Sequence, residues 1–265
     1  MSCMVGYSSS GAMPPWYNVN LGIAAPANEL VIEVNRMGAK MKKAGILFLV
    51  VIALLFTACK KTNPYSSVQV GDVIQFAGID WRVLEISDGK ALILSEYLLK
   101  EMQYNNKYTG MTWAECSLRE YLNGKFYDDT FKGDEKALIA EAAIETADNP
   151  WFGTPGGKST KDRLFLLSIE EVIRYFGDSG ELENRQADAR GIDDQYSLQR
   201  IATYSNNTEY ASWWWLRSPG DNDRSAAIIN RFGGLRICGV DVTLPEHPPE
   251  GLGGVRPALW LKIGS

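Results

Sequence analysis

The sequence predicts an α+β fold for one domain running from Val68 to Ser265, and three observations carry that prediction. Strand-like segments punctuated by turns lie at both ends of the stretch. Helix-start signals are concentrated between them. Strand and helix patterns nowhere alternate regularly, as a doubly wound parallel sheet would require. The terminal strands are therefore expected to meet.

The elements follow in order. DVIQFAGIDWRVLEISDGKALILSE, Asp72 to Glu96, reads as three short strands with turns at Gly78 and at Asp88-Gly89. Thr112 followed by Glu115 forms a capping-box pattern that opens a helix over WAECSLREYLNGKF, with Leu118, Tyr121 and Leu122 on one face. A second helix is expected over Glu135 to Thr146. A third starts at Ser168, with Glu171 as box partner, and stops at Gly177. Trp151 to Lys161 is loop-like, and Asp178 to Asp194 is polar without a clear period. From Trp213 onward the pattern is β-rich. In a strand, Trp213 and Trp215 share one face and Trp214 takes the other, and the triplet is expected to be buried on both sides.

Upstream of the domain, MKKAGILFLVVIALLFTACKK, Met41 to Lys61, has the layout of a secretory signal: two lysines, an apolar run, small residues, then Cys59. The run is short for a bilayer span. Thr57-Ala58-Cys59 resembles a bacterial lipobox, with Phe56 where leucine is usual, and makes Cys59 the expected lipidation site. The expected organisation is thus an over-extended reading frame at 1–40, a lipoprotein signal peptide at 41–58, a lipidated cysteine and tether at 59–67, and the folded domain at 68–265. A lipid on Cys59 would tether that domain to the outer or cytoplasmic membrane, displayed at the cell surface and most simply on the outer membrane.

Several chemistries fit poorly. The net charge of −5 gives no support for a nucleic-acid partner. Cys3, Cys59, Cys116 and Cys238 lack the paired spacings of a zinc site or a disulfide framework. GTPGGKST, Gly153 to Thr160, misses the phosphate-loop spacing because Phe152 stands where glycine is needed. The sole histidine, His247, lies between Glu246 and Pro248-Pro249 and reads as a loop residue. GDND, Gly220 to Asp223, lacks the carboxylates of a calcium loop. These observations lead to the expectation of a protein that is not an enzyme, with no catalytic residues, no metal and no cofactor.

SWWWLRSPG (Ser212 to Gly220), AAIINRFGG and GGVRPALWL (Gly253 to Leu261) resemble the C-terminal region of bacterial proteins with a C-type lectin fold of the formylglycine-generating-enzyme type, as do TWAECSLREYLN and DRLFLLSIEEV upstream. Within that group they resemble the target (variable) proteins of diversity-generating retroelements. The resemblance implies a single domain with an antiparallel sheet, peripheral helices and a hypervariable ligand-binding surface over about 217–250. Adenine mutagenesis of Asn codons, the mechanism in such proteins, never yields Lys, Glu, Gln, Met or Trp, and none of the five occurs from Leu216 to Pro245.

The resemblance sorts the stretch in two. Ala226, Ala227, Ile229, Gly233, Leu235, Gly239 and Val242 correspond to framework. Ile228, Asn230, Arg231, Phe232, Gly234, Arg236, Ile237, Cys238, Val240 and Asp241 correspond to the variable surface. Asp221, Asn222, Asp223, Arg224, Ser225, Thr243, Leu244 and His247 are weaker candidates for it. A set mixing Phe and Arg with Gly and Cys suits a surface that samples compositions better than a close-packed interior. The implied ligand is a protein or peptide in preference to a carbohydrate, since no sugar-coordinating calcium motif is visible. Two other readings remain: an oxidase of the formylglycine-generating type, and a structural surface lipoprotein with no variable ligand site.

Overall fold

A computed structural model describes residues 63–243 and 252–264. The chain divides into two units, Met1–Lys61 and Thr62–Ser265, and every described residue belongs to the second. The signal-like segment, Cys59, Leu244 and His247 lie outside the described residues.

The domain is a mixed α+β structure with mostly antiparallel sheets and few helices. The first sheet has the order β1-β2-β3-β14-β5, built from β1 (Val73–Phe76), β2 (Ile79–Ser87), β3 (Lys90–Ser95), β5 (Ile139–Ala140) and β14 (Ala258–Lys262). The terminal strands meet as expected, because β14 lies antiparallel between β3 and β5 with Leu259 opposite Ile93. Asn63 adds a hydrogen bond to the Lys262 carbonyl at 2.8 Å. The second sheet has the order β12-β11-β10-β13-β4 and contains β4 (Lys100–Glu101), β10 (Trp214–Pro219), β11 (Ser225–Ile229), β12 (Leu235–Asp241) and β13 (Gly254–Val255). Its β10–β13 pair is parallel. Two small hairpins complete the strands: β6 (Ala142–Ile144) with β7 (Thr160–Asp162), and β8 (Ala202–Tyr204) with β9 (Asn207–Ser212).

The tryptophan triplet is buried on both sides. Trp214 and Trp215 have no exposed surface and Trp213 keeps only 9%. Trp213 and Trp215 pack edge to face at 4.8 Å, on the shared face their alternation requires. The buried indole N–H groups of Trp214 and Trp215 find carbonyls: Trp214 donates to Arg200 at 3.1 Å and Trp215 to Met102 at 2.9 Å. A Cβ on Gly253 would come within 2.1 Å of Trp215 Nε1, so the glycine before β13 is demanded by the aromatic layer beside it.

The helices are short. The Thr112 side chain makes no cap; Trp113–Glu115 forms a 3₁₀ turn instead. The helix proper, α1 (Ser117–Tyr121), is capped by Cys116, whose sulfur accepts from the Arg119 N–H at 3.4 Å. It runs through a π-helical turn at Leu122–Phe126 into α2 (Tyr127–Thr130). On the predicted face Leu118 and Leu122 are fully buried, while Tyr121 is half-buried. α3 spans only Gly133–Leu138, so the helix expected over Glu135 to Thr146 is corrected: its second half forms β5 and β6. Alanine-rich ALIAEAAIETA favours a helix intrinsically, but strand pairing with β14 and β7 and the burial of Ile139 and Ile144 override a weak propensity.

The helix at Ser168 forms as read. In α4 (Ile169–Phe176) the Ser168 hydroxyl accepts from the Glu171 N–H at 3.2 Å, and the Glu171 carboxylate accepts from the Ser168 N–H at 3.0 Å. Gly177 closes it at φ +120°. α5 (Ser197–Arg200) is a single turn before β8.

Candidate ligand surface

The region read as variable is a β-hairpin, β11–β12, at one side of the second sheet. Its turn is built by Asn230. The Asn230 carbonyl accepts from the Gly233 N–H at 2.9 Å, while its side-chain oxygen accepts from the N–H groups of Phe232 at 2.8 Å and Gly234 at 3.0 Å. Gly233 takes φ +83°, and a Cβ there would lie 1.7 Å from the Ser197 carbonyl oxygen. Gly239 takes φ +71°, and a Cβ there would lie 2.3 Å from the Ala226 carbonyl oxygen. Backbone cannot yield as a flexible side chain can, so both glycines are structural. Ala227, Ile229, Leu235 and Val242 have no exposed surface and Ala226 keeps 2%.

The ten candidate positions separate on burial. Arg231 and Phe232 are exposed at the turn, Phe232 at 65%. Asn230, Arg236, Val240 and Asp241 are half-buried. Ile228, Gly234, Ile237 and Cys238 are buried, which corrects their expected placement on the surface. The reason is twofold. The pairing of β11 with β12 shifts register between Ala226 and Ile228, so side chains do not alternate simply along the hairpin. The outer edge of β12 is also not free: Ile192 exchanges backbone hydrogen bonds with Leu235 at 2.7 and 2.9 Å, and the Cys238 N–H donates to the Arg190 carbonyl at 3.0 Å. The polar stretch Asp178 to Asp194, left unassigned from sequence, thus partly covers this strand. A Cβ on Gly234 would meet the side-chain oxygen of Asp193 at 1.8 Å, a group that can swing away.

Among the weaker candidates, Asn222 and Asp223 are exposed, and Asp221, Arg224 and Thr243 are half-buried. Ser225 is buried at 5% and is another correction. Its hydroxyl accepts from the Asn222 N–H at 3.1 Å and ties the turn that leads into β11.

Charged pairs link the hairpin to its neighbours. Arg224 donates to Asp241 at 3.1 Å and to the Tyr108 hydroxyl at 3.3 Å, and lies 4.7 Å over the Tyr108 ring. Arg236 donates to Asp193 at 3.0 Å, and Arg190 to Asp221 at 2.5 Å. Burial opposes ionisation of Asp241, but hydrogen bonds from Thr243 and Arg224 outweigh it and hold its carboxyl below the usual range. Sequence reading missed Tyr108, Arg190 and Asp193. No local pattern marks them, because the topology alone brings 105–111 and 190–193 beside the hairpin. Asn149 was also missed: its buried amide donates to the carbonyls of Pro219 at 2.8 Å and Ile237 at 2.9 Å, pinning β10 to β12.

The two described cysteines are not paired. Cys116 is buried as a helix cap, and burial pushes its thiol up to about 12. Among the described residues, no group of three His, Cys, Asp or Glu could hold a metal ion, and no helix is long and apolar enough to cross a membrane.

The arrangement defines a class: an α+β domain that presents a hairpin of mixed aromatic and charged side chains from a rigid, tryptophan-packed sheet. Residues 88–263 match a family described as a Domain of unknown function (DUF6273), and the chain belongs to that family. Neither a curated protein nor a solved structure matches it.

Proposed function

We propose that this protein is a surface-displayed lipoprotein that binds a protein or peptide ligand through the β11–β12 hairpin, diversified by a retroelement on a C-type lectin fold of the formylglycine-generating-enzyme type. The observation that carries the reading is the contrast within one hairpin. Gly233 and Gly239 admit no side chain, whereas the turn just before Gly233 offers Arg231 and Phe232 to solvent. A hypervariable surface needs that division of labour, because preorganised backbone loses less entropy on binding.

Exposure at the hairpin supports a narrower contact set. Phe232 is the apolar anchor, with Asn230, Arg231, Arg236, Val240 and Asp241 around it and Tyr108, Asn222, Asp223 and Arg224 at the rim. Ile228, Ile237 and Cys238 support the surface from below. The paired terminal strands, antiparallel sheets and peripheral helices support the lectin-type fold. The buried, protonated Cys116 favours binding over oxidation at a reactive cysteine pair. Anchoring rests on Cys59: palmitate labelling in the native host is expected to vanish in Cys59→Ala, and labelling that persists removes the lipoprotein reading. Diversification is tested in the genome. A reverse transcriptase gene near this one, with a template copy differing at adenines in the codons for residues 230–241, supports it; absence of both overturns it.

A further inference from the structure

A second site is carried by a cavity of about 460 Å³ that shares no residue with the hairpin surface, although its Ile201 lies close to Gly233 at the base of the turn. Its lining includes Arg82, Glu96, Phe176, Gln199, Ile201 and Arg256. The charges on this wall do not balance. Glu96 is the single carboxylate and both its oxygens are taken by Arg82, at 2.8 Å from Nε and in a second contact from Nη2. Arg256 is left as a cation with no carboxylate of its own. It is 3% exposed, donates only to the carbonyls of Ser95 at 3.0 Å and Glu96 at 3.3 Å, and keeps Nη1 without a partner. The rings of Trp214 and Phe176 hold its guanidinium at 5.1 and 5.7 Å. Burial lowers its pKa to about 10, so it remains charged at neutral pH. A buried cation with no carboxylate hydrogen-bonded to it is costly even with Glu96 near enough to attract it, and a chain whose net charge is −5 has no general excess of positive charge to explain it.

The number of unpartnered donors selects the anion. A phosphate calls for several convergent donors or a backbone nest. Here one buried guanidinium nitrogen lacks a partner, and Phe176 and Ile201 supply apolar walls. We propose that this cavity is a binding site for a small organic monocarboxylate, its charge paired with Arg256 and its hydrocarbon body against Phe176 and Ile201.

The test is calorimetric titration of the full-length chain in detergent with benzoate, with its uncharged amide benzamide, and with inorganic phosphate. Saturable benzoate binding is expected, at least tenfold tighter than either benzamide or phosphate. Gln199 is exposed at the cavity, so its variants fold. Gln199→Glu is expected to weaken benzoate about threefold and Gln199→Lys to strengthen it by a similar factor. Arg256→Gln is expected to abolish binding; should that variant not fold, the Gln199 pair decides. Absence of saturable benzoate binding, benzamide or phosphate matching benzoate, or indifference of both Gln199 variants each overturns the proposal.

Discussion

Phe232 and Gly233 are neighbours in the chain with opposite physical duties. The ring of Phe232 is 65% exposed, so it contributes little to the core and its loss leaves no cavity. Phe232→Ala is expected to change unfolding free energy by less than about 0.5 kcal/mol. Gly233→Ala meets both a left-handed backbone and the Ser197 carbonyl, and is expected to cost about 3 kcal/mol or more. Urea unfolding of the two variants measures the difference, and equal losses would show that the turn is not the rigid frame described. Asp194 makes a second residue-scale case. Its carboxylate and the Arg200 guanidinium it pairs with at 3.0 Å both have no exposed side-chain surface. Burial opposes the charge, yet the hydrogen bond and charge of Arg200 outweigh it and the carboxyl titrates below its usual 3.8. A depressed carboxylate pKa gives stability that is complete above 3.8 and is lost as the pH falls through the lower folded value. Asp194→Asn should therefore lower stability by about 3 kcal/mol at neutral pH and flatten the acid limb of a pH–stability curve below pH 3.8; an unchanged acid limb contradicts the pairing.

The element that the sequence displays most openly is α4. Its start, its stop and its buried face follow from Ser168, Glu171 and Gly177, because a capping box and a glycine stop are local devices. What local reading could not see is that Glu171 has a second partner: it also accepts from the buried Arg217 of β10, at 2.9 Å from Nη2. Ser168→Ala removes one cap and should cost about 1 kcal/mol. Glu171→Ala removes the return bond and leaves Arg217 without its carboxylate, so about 2–3 kcal/mol is expected. Thermal unfolding ranks the two, and a smaller effect for Glu171→Ala would mean the ion pair is dispensable. The elements misread from sequence have two causes. The expected helix over Glu135 to Thr146 yields to strand pairing with residues more than a hundred positions away in β14, whereas Thr112 loses its cap locally, to the sulfur of Cys116. The hairpin was legible only in part because of distant contacts of the first kind. Gly233, Gly239 and the exposed turn are local, whereas the burial of Ile228, Ile237 and Cys238 depends on a register shift and on Arg190–Ile192 lying along β12.

At the scale of the whole molecule, the hairpin sits at the edge of a sheet whose centre carries the tryptophan layer, while β14 closes the other sheet against β3. Side chains at the turn can then change without touching either core. This predicts how a library should behave. Randomising Arg231, Phe232 and Arg236 together removes half-buried or exposed groups, each worth little to folding, so most members should unfold within a few degrees of the parent. Randomising Ala227, Ile229 and Leu235 places polar or oversized groups at positions with no exposed surface, where each change costs about 2–5 kcal/mol and a marginally stable domain has little to spare. Most of that second library should fail to fold. Displaying both on a cell surface and sorting for protease resistance compares them directly. Equal survival of the two libraries would mean that the hairpin has no frame distinct from its contents, and a surface of exchangeable contacts requires that distinction.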